Sequence, residues 1–145
     1  MSRSSSRLVV GEARSDIVIR ARVKWNPTGV LVNPGERYRL EADGRWSDLG
    51  ICADADGFPS ERAPRITRKL LEKFEPKRRM PAELWFCLIG TVGEAPPGFF
   101  RIGRQLTEWV VGPGTSGELL CFANDVESAY WNNFGSLTLT VTRTG

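Results

Sequence analysis

The sequence contains no histidine, and this absence excludes more chemistry than any other feature of its composition. Imidazole is the usual general base, proton shuttle and nitrogen ligand for metals in proteins. Nucleophilic catalysis by Ser–His–Asp or Cys–His arrangements is therefore excluded. Paired carboxylates such as Asp54 with Asp56, or Asp125 with Glu127, remain as an acid and a base. We interpret both pairs as polar loop residues and expect a protein that is not an enzyme.

Cysteine is scarce as well, with three residues, Cys52, Cys87 and Cys121. The number is odd and no C-x-x-C spacing occurs, so the sequence indicates neither a disulfide framework nor a zinc knuckle. We expect all three thiols to be reduced. Cys87 and Cys121 lie on strand-like runs and are predicted to be small core residues.

Long hydrophobic segments are missing too. The Ser- and Arg-rich N-terminus is followed only by the apolar residues 8–10, too few for the hydrophobic region of a signal peptide. No run approaches the length that a membrane-spanning helix needs. We therefore expect cytoplasmic synthesis without a signal peptide and no membrane insertion, with later release to the extracellular side left open.

The residues that are present fit one domain. The chain has 145 residues, 41% of them apolar, which is enough to bury one core and leaves little room for a second. We predict a flexible leader over residues 1–15 and a single domain over residues 16–145. The net charge of +3 comes largely from one local excess of basic residues rather than from a basic face along the whole chain.

Short apolar or alternating runs, separated by Gly, Pro, Asn and Asp, indicate a protein built from strands. Asp43-Gly44 predicts a turn between two of them, and the apolar run at 84–90 predicts a core strand. This many short strands in one domain predict an all-β sandwich or jelly roll. The predicted strands cover residues 16–23, 30–32, 38–42, 84–90, 99–103, 108–111, 118–122 and 136–142.

Residues 59–81 form a basic insertion between proline residues. Four apolar residues spaced for one face of a helix predict a short helix that ends before Pro76 and lies over a sheet edge. These residues are Ile66, Leu70, Leu71 and Phe74. We interpret the charged residues as a solvated face. The alternative is a surface for polyanions or membranes, formed by Arg65, Arg68, Lys69, Lys73 and residues 77–79.

The acidic run Asp54-Ala55-Asp56-Gly57 resembles the start of an EF-hand loop. Such a loop needs a glutamate at its twelfth position, and this chain has Arg65 there. We therefore predict a polar turn that ends at Gly57.

Residues 121–135, with the sequence C-F-A-N-D-V-E-S-A-Y-W-N-N-F-G, place one carboxylate and two amides on a connection between two strand-like runs. Asp125, Asn132 and Asn133 offer hard oxygen atoms, which are the ligands that Ca²⁺ accepts. Adjacent asparagines are also common in turns, which is the structural alternative. We predict a calcium site in this loop.

The run F-A-N-D-V-E-S-A-Y-W-N-N-F-G-S resembles the calcium and sugar loop of the PA-IL-type galactose-binding bacterial lectins. The resemblance extends to N-P-G-E (33–36), A-D-G-R-W-S (42–47), L-I-G-T-V-G (88–93) and E-W-V-V-G (108–112). It implies a small jelly-roll-like β-sandwich in which one Ca²⁺ accepts two vicinal hydroxyls of a terminal galactose. It also implies galactose-containing glycans as partners and a homo-oligomer, dimer or tetramer.

The resemblance assigns roles to residues by position. The implied calcium ligands are the side chains of Asp125, Asn132 and Asn133, the backbone of Ala129, and the backbone or side chain of Asp48. The implied sugar contacts are Asp125, Val126, Asn132, Asn133 and Trp131, the last through stacking on the sugar ring.

One departure from the family concerns the wall of the sugar site. Family members also hold the sugar with a histidine and a glutamine, in a loop that the basic insertion replaces here. A second hypothesis is therefore a lectin-like fold that has lost sugar binding and binds an acidic partner or nucleic acid through residues 62–79. Nucleic acid is not the expected partner, because Phe74 is the only aromatic residue among these charges.

Overall fold

The computed structural model describes residues 4–145, which form two β-sheets and one short α-helix, α1 (Arg65–Phe74). The strands are β1 (Ser6–Arg7), β2 (Ala13–Arg20), β3 (Asn26–Val32), β4 (Arg37–Asp48), β5 (Ile51–Ala53), β6 (Leu88–Val92), β7 (Phe100–Arg101), β8 (Gln105–Val110), β9 (Gly117–Ala123) and β10 (Asn133–Arg143). Short 3₁₀-helices lie at Ser60–Arg62, Glu75–Lys77, Pro96–Gly98 and Glu127–Asn132. The prediction of an all-β sandwich with a helical insertion is confirmed.

The two sheets enclose one main core. One sheet has the strand order β1-β3-β9-β6-β7, and the other has β2-β10-β4-β5, with β8 pairing the first part of β4. In β10 the side chains of Leu137, Leu139 and Val141 are buried, while those of Ser136 before them and Thr138 between them are exposed. Alternate residues of a strand point to opposite faces, so this pattern turns one face of β10 toward the facing sheet.

The expected flexible leader is wrong for the described part of residues 1–15. Residues 6 and 7 pair in parallel with β3, and residues 13–15 belong to β2. Leu8 is 1% exposed and lies in the core. Leu8 therefore contributes to the sandwich, whereas Val9 and Val10 are 67% and 61% exposed. Residues 1–3 lie outside the described residues.

Strand β4 is longer than predicted, because Asp43-Gly44 is not a turn. The strand runs through both residues to Asp48, and its partner β10 pairs with it along the whole length from Tyr38 to Asp48. Gly44 has φ +105°, and a Cβ there would lie 3.3 Å from the carbonyl oxygen of Ser136. The glycine thus allows a close approach of the two strands rather than a reversal.

The turn comes at Leu49-Gly50, which joins β4 to β5. Asp48 pairs with Ile51, and the two residues between them have φ values of +51° and +77°. Two positive φ values are characteristic of the type I′ turn that matches the twist of a hairpin. This turn places Asp48 at the very end of its strand.

The predicted core strand at 84–90 is wrong in its first half. Strand β6 begins at Leu88, and Phe86 lies in a turn with φ +61°, which a bulky side chain rarely adopts. The Trp46 indole N–H donates to the Phe86 carbonyl at 3.0 Å, and the Phe86 ring is fully buried. Burial, rather than strand formation, explains the apolar composition of this run.

Helix α1 forms where the spacing predicted it, but its apolar residues are not all covered. Leu71 is 4% exposed and Phe74 is half-buried, whereas Leu70 is 49% and Ile66 87% exposed. The helix therefore packs by one side of the predicted apolar stripe only. None of the described helices is long and apolar enough to cross a bilayer.

The predictions for the acidic run and for the cysteines are confirmed. The Asp54 carbonyl accepts a hydrogen bond from the Gly57 N–H at 3.1 Å, so the acidic run is a turn. A Cβ on Gly57 would lie 2.2 Å from the Trp85 carbonyl oxygen. Of the free thiols, those of Cys87 and Cys121 are buried in the core and that of Cys52 is exposed.

Candidate functional site

The site begins with the pairing of two strand ends. Asp48, the last residue of β4, stands opposite Asn133, the first residue of β10. Both are buried, with Asp48 4% exposed and Asn133 fully covered. Antiparallel pairing thus brings two residues that are 85 positions apart in the sequence to one end of the sheet.

Asp125 reaches the same place from the facing sheet. It follows β9 and precedes the 3₁₀-helix Glu127–Asn132, and it is 2% exposed. The Asp125 Oδ1 atom accepts the backbone N–H of Val126 at 2.7 Å, and its carbonyl oxygen accepts the backbone N–H of Arg79 at 3.0 Å. These bonds fix the carboxylate with its second oxygen, Oδ2, still unbonded.

The two asparagines are held in different ways. Asn133 donates its side-chain N–H to the Ala21 carbonyl at 3.0 Å, which fixes the amide and leaves its oxygen without a donor. Asn132 ends the 3₁₀-helix that begins at Glu127, and its side-chain oxygen is also buried and unbonded. The 3₁₀-helix therefore sets the position of Asn132 relative to Asp125.

Four oxygen atoms at this end of the sandwich are buried without a hydrogen-bond donor among residues 4–145. They are Oδ1 of Asp48, Oδ2 of Asp125, Oδ1 of Asn132 and Oδ1 of Asn133. Leaving a buried acceptor unpaired costs about 1–3 kcal/mol each, and more for a charged group. Such a set is expected only where another group supplies the missing interactions, and an oxygen-seeking cation fits it.

The electrostatics lead to the same conclusion. Burial and the nearby charge of Asp125 raise the pKa of Asp48 to about 7. Burial raises the pKa of Asp125 to about 6, against the lowering effect of the Val126 N–H. Two carboxylates that hinder each other's ionisation are an unfavourable arrangement without a cation, and a divalent ion would remove the conflict.

Asp48, Asp125 and Asn132 border a pocket of about 180 Å³, whereas Asn133 lines a separate pocket beside Arg20, Arg22 and Val23. The polar corner contains Asp48, Asp125 and Asn132, and Val126 and Ala129 lie beside it. The apolar wall of the pocket is formed by Leu70, Leu71 and Phe74 of α1 together with Trp85 and Leu49. The basic insertion therefore supplies part of the pocket wall.

The structure does not bring every sequence-predicted residue into the pocket. Trp131 is 74% exposed and is not among the lining residues, so it does not stack over the polar corner. Val126 lines the pocket, but its N–H is already donated to Asp125 and its carbonyl oxygen accepts the Ala129 N–H at 2.9 Å. Its remaining contribution there is its half-buried side chain.

Sequence reasoning missed Asn124, the residue that attaches the insertion to the sheet. Its side-chain oxygen accepts the Met80 N–H at 3.0 Å, and its amide N–H groups face the carbonyls of Met80, Glu83 and Leu84 at 2.9–3.1 Å. Asn124 is fully buried. The sequence signal that could have identified Asn124 was its position directly before Asp125 in the loop motif.

Arg79 was also misassigned, because it is not a free cation. Its guanidinium lies 3.5 Å from the centroid of the Phe122 ring and 4.2 Å from that of Trp25. It donates to the Lys24 carbonyl at 2.8 Å and to the Tyr130 hydroxyl at 2.9 Å. Arg79 therefore holds the end of the insertion against the core, next to Asp125.

Arg78 is engaged in a similar way. It donates to the Pro81 carbonyl at 2.8 Å and stacks over Trp85, with burial lowering its pKa. The basic cluster at 77–79, which the second hypothesis assigned to an acidic partner, thus offers only Lys77 as an exposed cation. Neutralising all three residues would damage the fold as well as remove charge.

The described residues fold as a small all-β sandwich of two sheets. No protein-family model and no curated protein matches the sequence. Among solved structures, the chain is similar to one described as "EclA N-terminal domain; PllA-like lectin", with a TM-score of 0.60. The similarity covers 90% of this chain and 94% of that one at 20% sequence identity. At this identity the likeness shows a shared fold.

Proposed function

We propose that this protein is a calcium-dependent lectin that binds terminal galactose-like sugars through two vicinal hydroxyls on the bound ion. The observation that carries the proposal is the set of four buried, unbonded oxygens from Asp48, Asp125, Asn132 and Asn133. Carboxylate and amide oxygens are the ligands that Ca²⁺ takes. The lectin-like fold supports a carbohydrate as the ligand, and the resemblance of the loop to the PA-IL-type family supports galactose.

The residues of the site would contribute different kinds of ligand to the ion. Asp48 and Asp125 would balance the charge of the ion, and Asn132 and Asn133 would add neutral oxygens from the other side of the loop. The backbone of Ala129 lies at the pocket and is a further candidate ligand. The ion would supply open coordination positions, which a suitably oriented diol can fill. No acid–base or nucleophilic role is assigned to any residue.

Calorimetric titration with Ca²⁺, followed by methyl galactoside, tests the proposal. We expect calcium uptake by the wild-type protein, sugar binding only after calcium, and loss of both in Asp125→Ala. The matched control is Glu127→Gln, which changes an exposed carboxylate two residues away and outside the pocket. Absence of calcium uptake, or uptake that Asp125→Ala leaves unchanged, would refute the proposal.

Glycan-array screening with and without chelator defines the sugar. The loop that carries the family's histidine and glutamine is replaced here, so the polar contacts beyond the ion differ from those of the family. We expect galactose-terminated glycans to bind in the presence of calcium. Sedimentation of the sugar-binding protein then shows whether it forms the dimer or tetramer that would raise avidity.

A further inference from the structure

One face of α1 is apolar but uncovered. Ile66 is 87% exposed and Leu70, one turn further along the helix, is 49% exposed. Leu71, the next residue along the helix, is 4% exposed and packs into the core. The helix is thus already attached to the sandwich by other residues, and the face bearing Ile66 and Leu70 is left open to a partner.

A row of cations borders this face. Lys69 stands three residues after Ile66, and Lys73 stands three residues after Leu70, so each cation neighbours one apolar residue of this face. Both are exposed, as are Arg62, Arg65 and Lys77 nearby in the sequence. We call Ile66, Leu70, Lys69 and Lys73 the α1 rim.

The positive charge of the protein is concentrated around this rim. Residues 59–81 contain eight basic and three acidic residues, whereas the rest of the chain contains twelve basic and fourteen acidic ones. Three of the eight, Arg68, Arg78 and Arg79, bond to backbone carbonyls. The other five are exposed. The local field is therefore cationic although the remaining chain is slightly anionic.

The combination of exposed aliphatic and cationic side chains indicates the chemistry of the partner. A soluble polyanion would use the cations and leave Ile66 without a role. Single-stranded nucleic acid would be expected to stack on exposed aromatic residues, and the rim has none. A bilayer interface takes apolar side chains into the acyl boundary and cations beside the phosphates.

We propose that the α1 rim docks the protein onto an anionic lipid surface. Ile66 and Leu70 enter the interface, and Lys69 and Lys73 contact the phosphate and carboxylate groups of the lipids. Leu70 also lines the pocket that contains Asp125, so docking brings that pocket close to the membrane. The proposal does not depend on calcium or sugar binding, because none of the proposed ion ligands belongs to the rim.

Co-sedimentation with vesicles tests it directly. The full-length protein is mixed with vesicles of phosphatidylcholine containing phosphatidylserine, or of phosphatidylcholine alone, in chelator and without any glycolipid. We expect binding to the anionic vesicles only, and binding that weakens steeply as salt is raised. These conditions exclude the lectin site as the cause.

Two pairs of variants separate the contributions of the apolar residues and of the lysines to vesicle binding. Ile66→Ser is expected to lower the partition coefficient about tenfold, and the control Val18→Ser, at an apolar residue that is 48% exposed on β2, to leave it unchanged. Lys69→Gln with Lys73→Gln is expected to lower it about fivefold for each residue. The control is Arg20→Gln with Arg45→Gln, which removes the same net charge from exposed positions on the sheet.

Each other outcome contradicts the proposal in a distinct way. Binding that depends on the lysines but not on Ile66 would indicate a soluble polyanion. Concentration-dependent dimerisation that Ile66→Ser abolishes would indicate a second copy of this chain on the rim. Binding only to vesicles with a galactolipid and calcium would overturn the docking surface and leave the lectin proposal standing.

Discussion

Asn124 bonds the backbone of Met80 on both sides, accepting its N–H at 3.0 Å and donating to its carbonyl at 2.9 Å. Met80 lies near the end of the insertion, and Asn124 directly precedes Asp125 in the loop after β9. One buried side chain therefore joins the segment that forms the apolar wall of the pocket to the loop that forms its polar corner. The two walls are expected to move together.

Replacement of Asn124 tests this connection. In Asn124→Ala the carbonyls of Glu83 and Leu84 and both backbone groups of Met80 lose their partner. We expect the free energy of unfolding to fall by about 3 kcal/mol, since buried backbone groups are left unpaired. Urea denaturation measures the change. Asn124→Asp keeps an acceptor for the Met80 N–H but loses the donors, so we expect it to lower the free energy of unfolding nearly as much as Asn124→Ala. Wild-type stability in either variant would show that other residues hold the insertion.

The raised pKa values of Asp48, about 7, and Asp125, about 6, predict how the stability of the calcium-free protein depends on pH. Both lie above the ordinary value of 3.8, so between about pH 4 and pH 7 the folded state binds more protons than the unfolded state. This contribution to stability is complete at low pH and is lost as the pH rises through that window. Thermal denaturation of wild type and Asp48→Asn in chelator isolates it, because the difference between them should favour the variant increasingly toward pH 8. A difference that does not change with pH would contradict the raised pKa of Asp48.

Calcium is expected to make wild type more stable than Asp48→Asn. A cation holds both carboxylates ionised, so at pH 8 wild type should gain stability, about 2.7 kcal/mol at a calcium concentration one hundred times its dissociation constant. Asp48→Asn should gain much less, because the substitution replaces one of two charged ligands. Melting temperature as a function of calcium concentration gives the comparison, with Mg²⁺ as the control ion because its octahedral preference suits such a loop poorly. Equal gains in both proteins would exclude Asp48 as a ligand.

The sequence was sufficient to predict the β-sandwich, the helix in the insertion and the cluster of oxygens around Asp125. Those predictions rest on patterns that local physics enforces, namely alternation in strands, spacing in helices and the donor chemistry of the loop. The position of Asp48 beside Asn133 came only through the family resemblance, because strand pairing between distant residues leaves no local trace. The exposure of Ile66 was not predictable either, because it depends on contacts with residues distant in the sequence. Periodicity defines the face of a helix but not what covers it.

Arg79 shows a second limit of prediction from sequence. By sequence Arg79 belongs to a basic cluster, but the rings around it come from two distant parts of the chain, Trp25 and the stretch that contains Phe122 and Tyr130. Phe86 is a further case, since the apolar run at 84–90 predicts a strand and the positive φ of Phe86 cannot be recognised from the sequence. In both cases tertiary packing determined the outcome.

Arg79→Gln separates the structural role of this arginine from any role in binding. The substitution removes cation–π contacts with the surrounding rings, and we expect the free energy of unfolding to fall by about 2 kcal/mol. Partition onto anionic vesicles should remain close to that of wild type, because Arg79 is held against the core and is not part of the α1 rim. Urea denaturation and vesicle co-sedimentation on the same sample give both values. A stable variant with lost vesicle binding would reassign Arg79 to the surface.

The apolar wall of the pocket predicts which galactosides bind best. A sugar whose diol occupies the polar corner at Asp125 has its remaining substituents near Leu70 and Phe74, since these residues line the same pocket of about 180 Å³. An aryl galactoside can bury its ring there, and we expect it to bind about tenfold more tightly than methyl galactoside, from the apolar area removed from water. Leu70→Ser should reduce that ratio without changing calcium uptake, whereas the surface control Val18→Ser should leave it intact. Calorimetry at saturating calcium measures both sugars; equal affinities in wild type would mean that the insertion forms a boundary of the pocket without contacting the ligand.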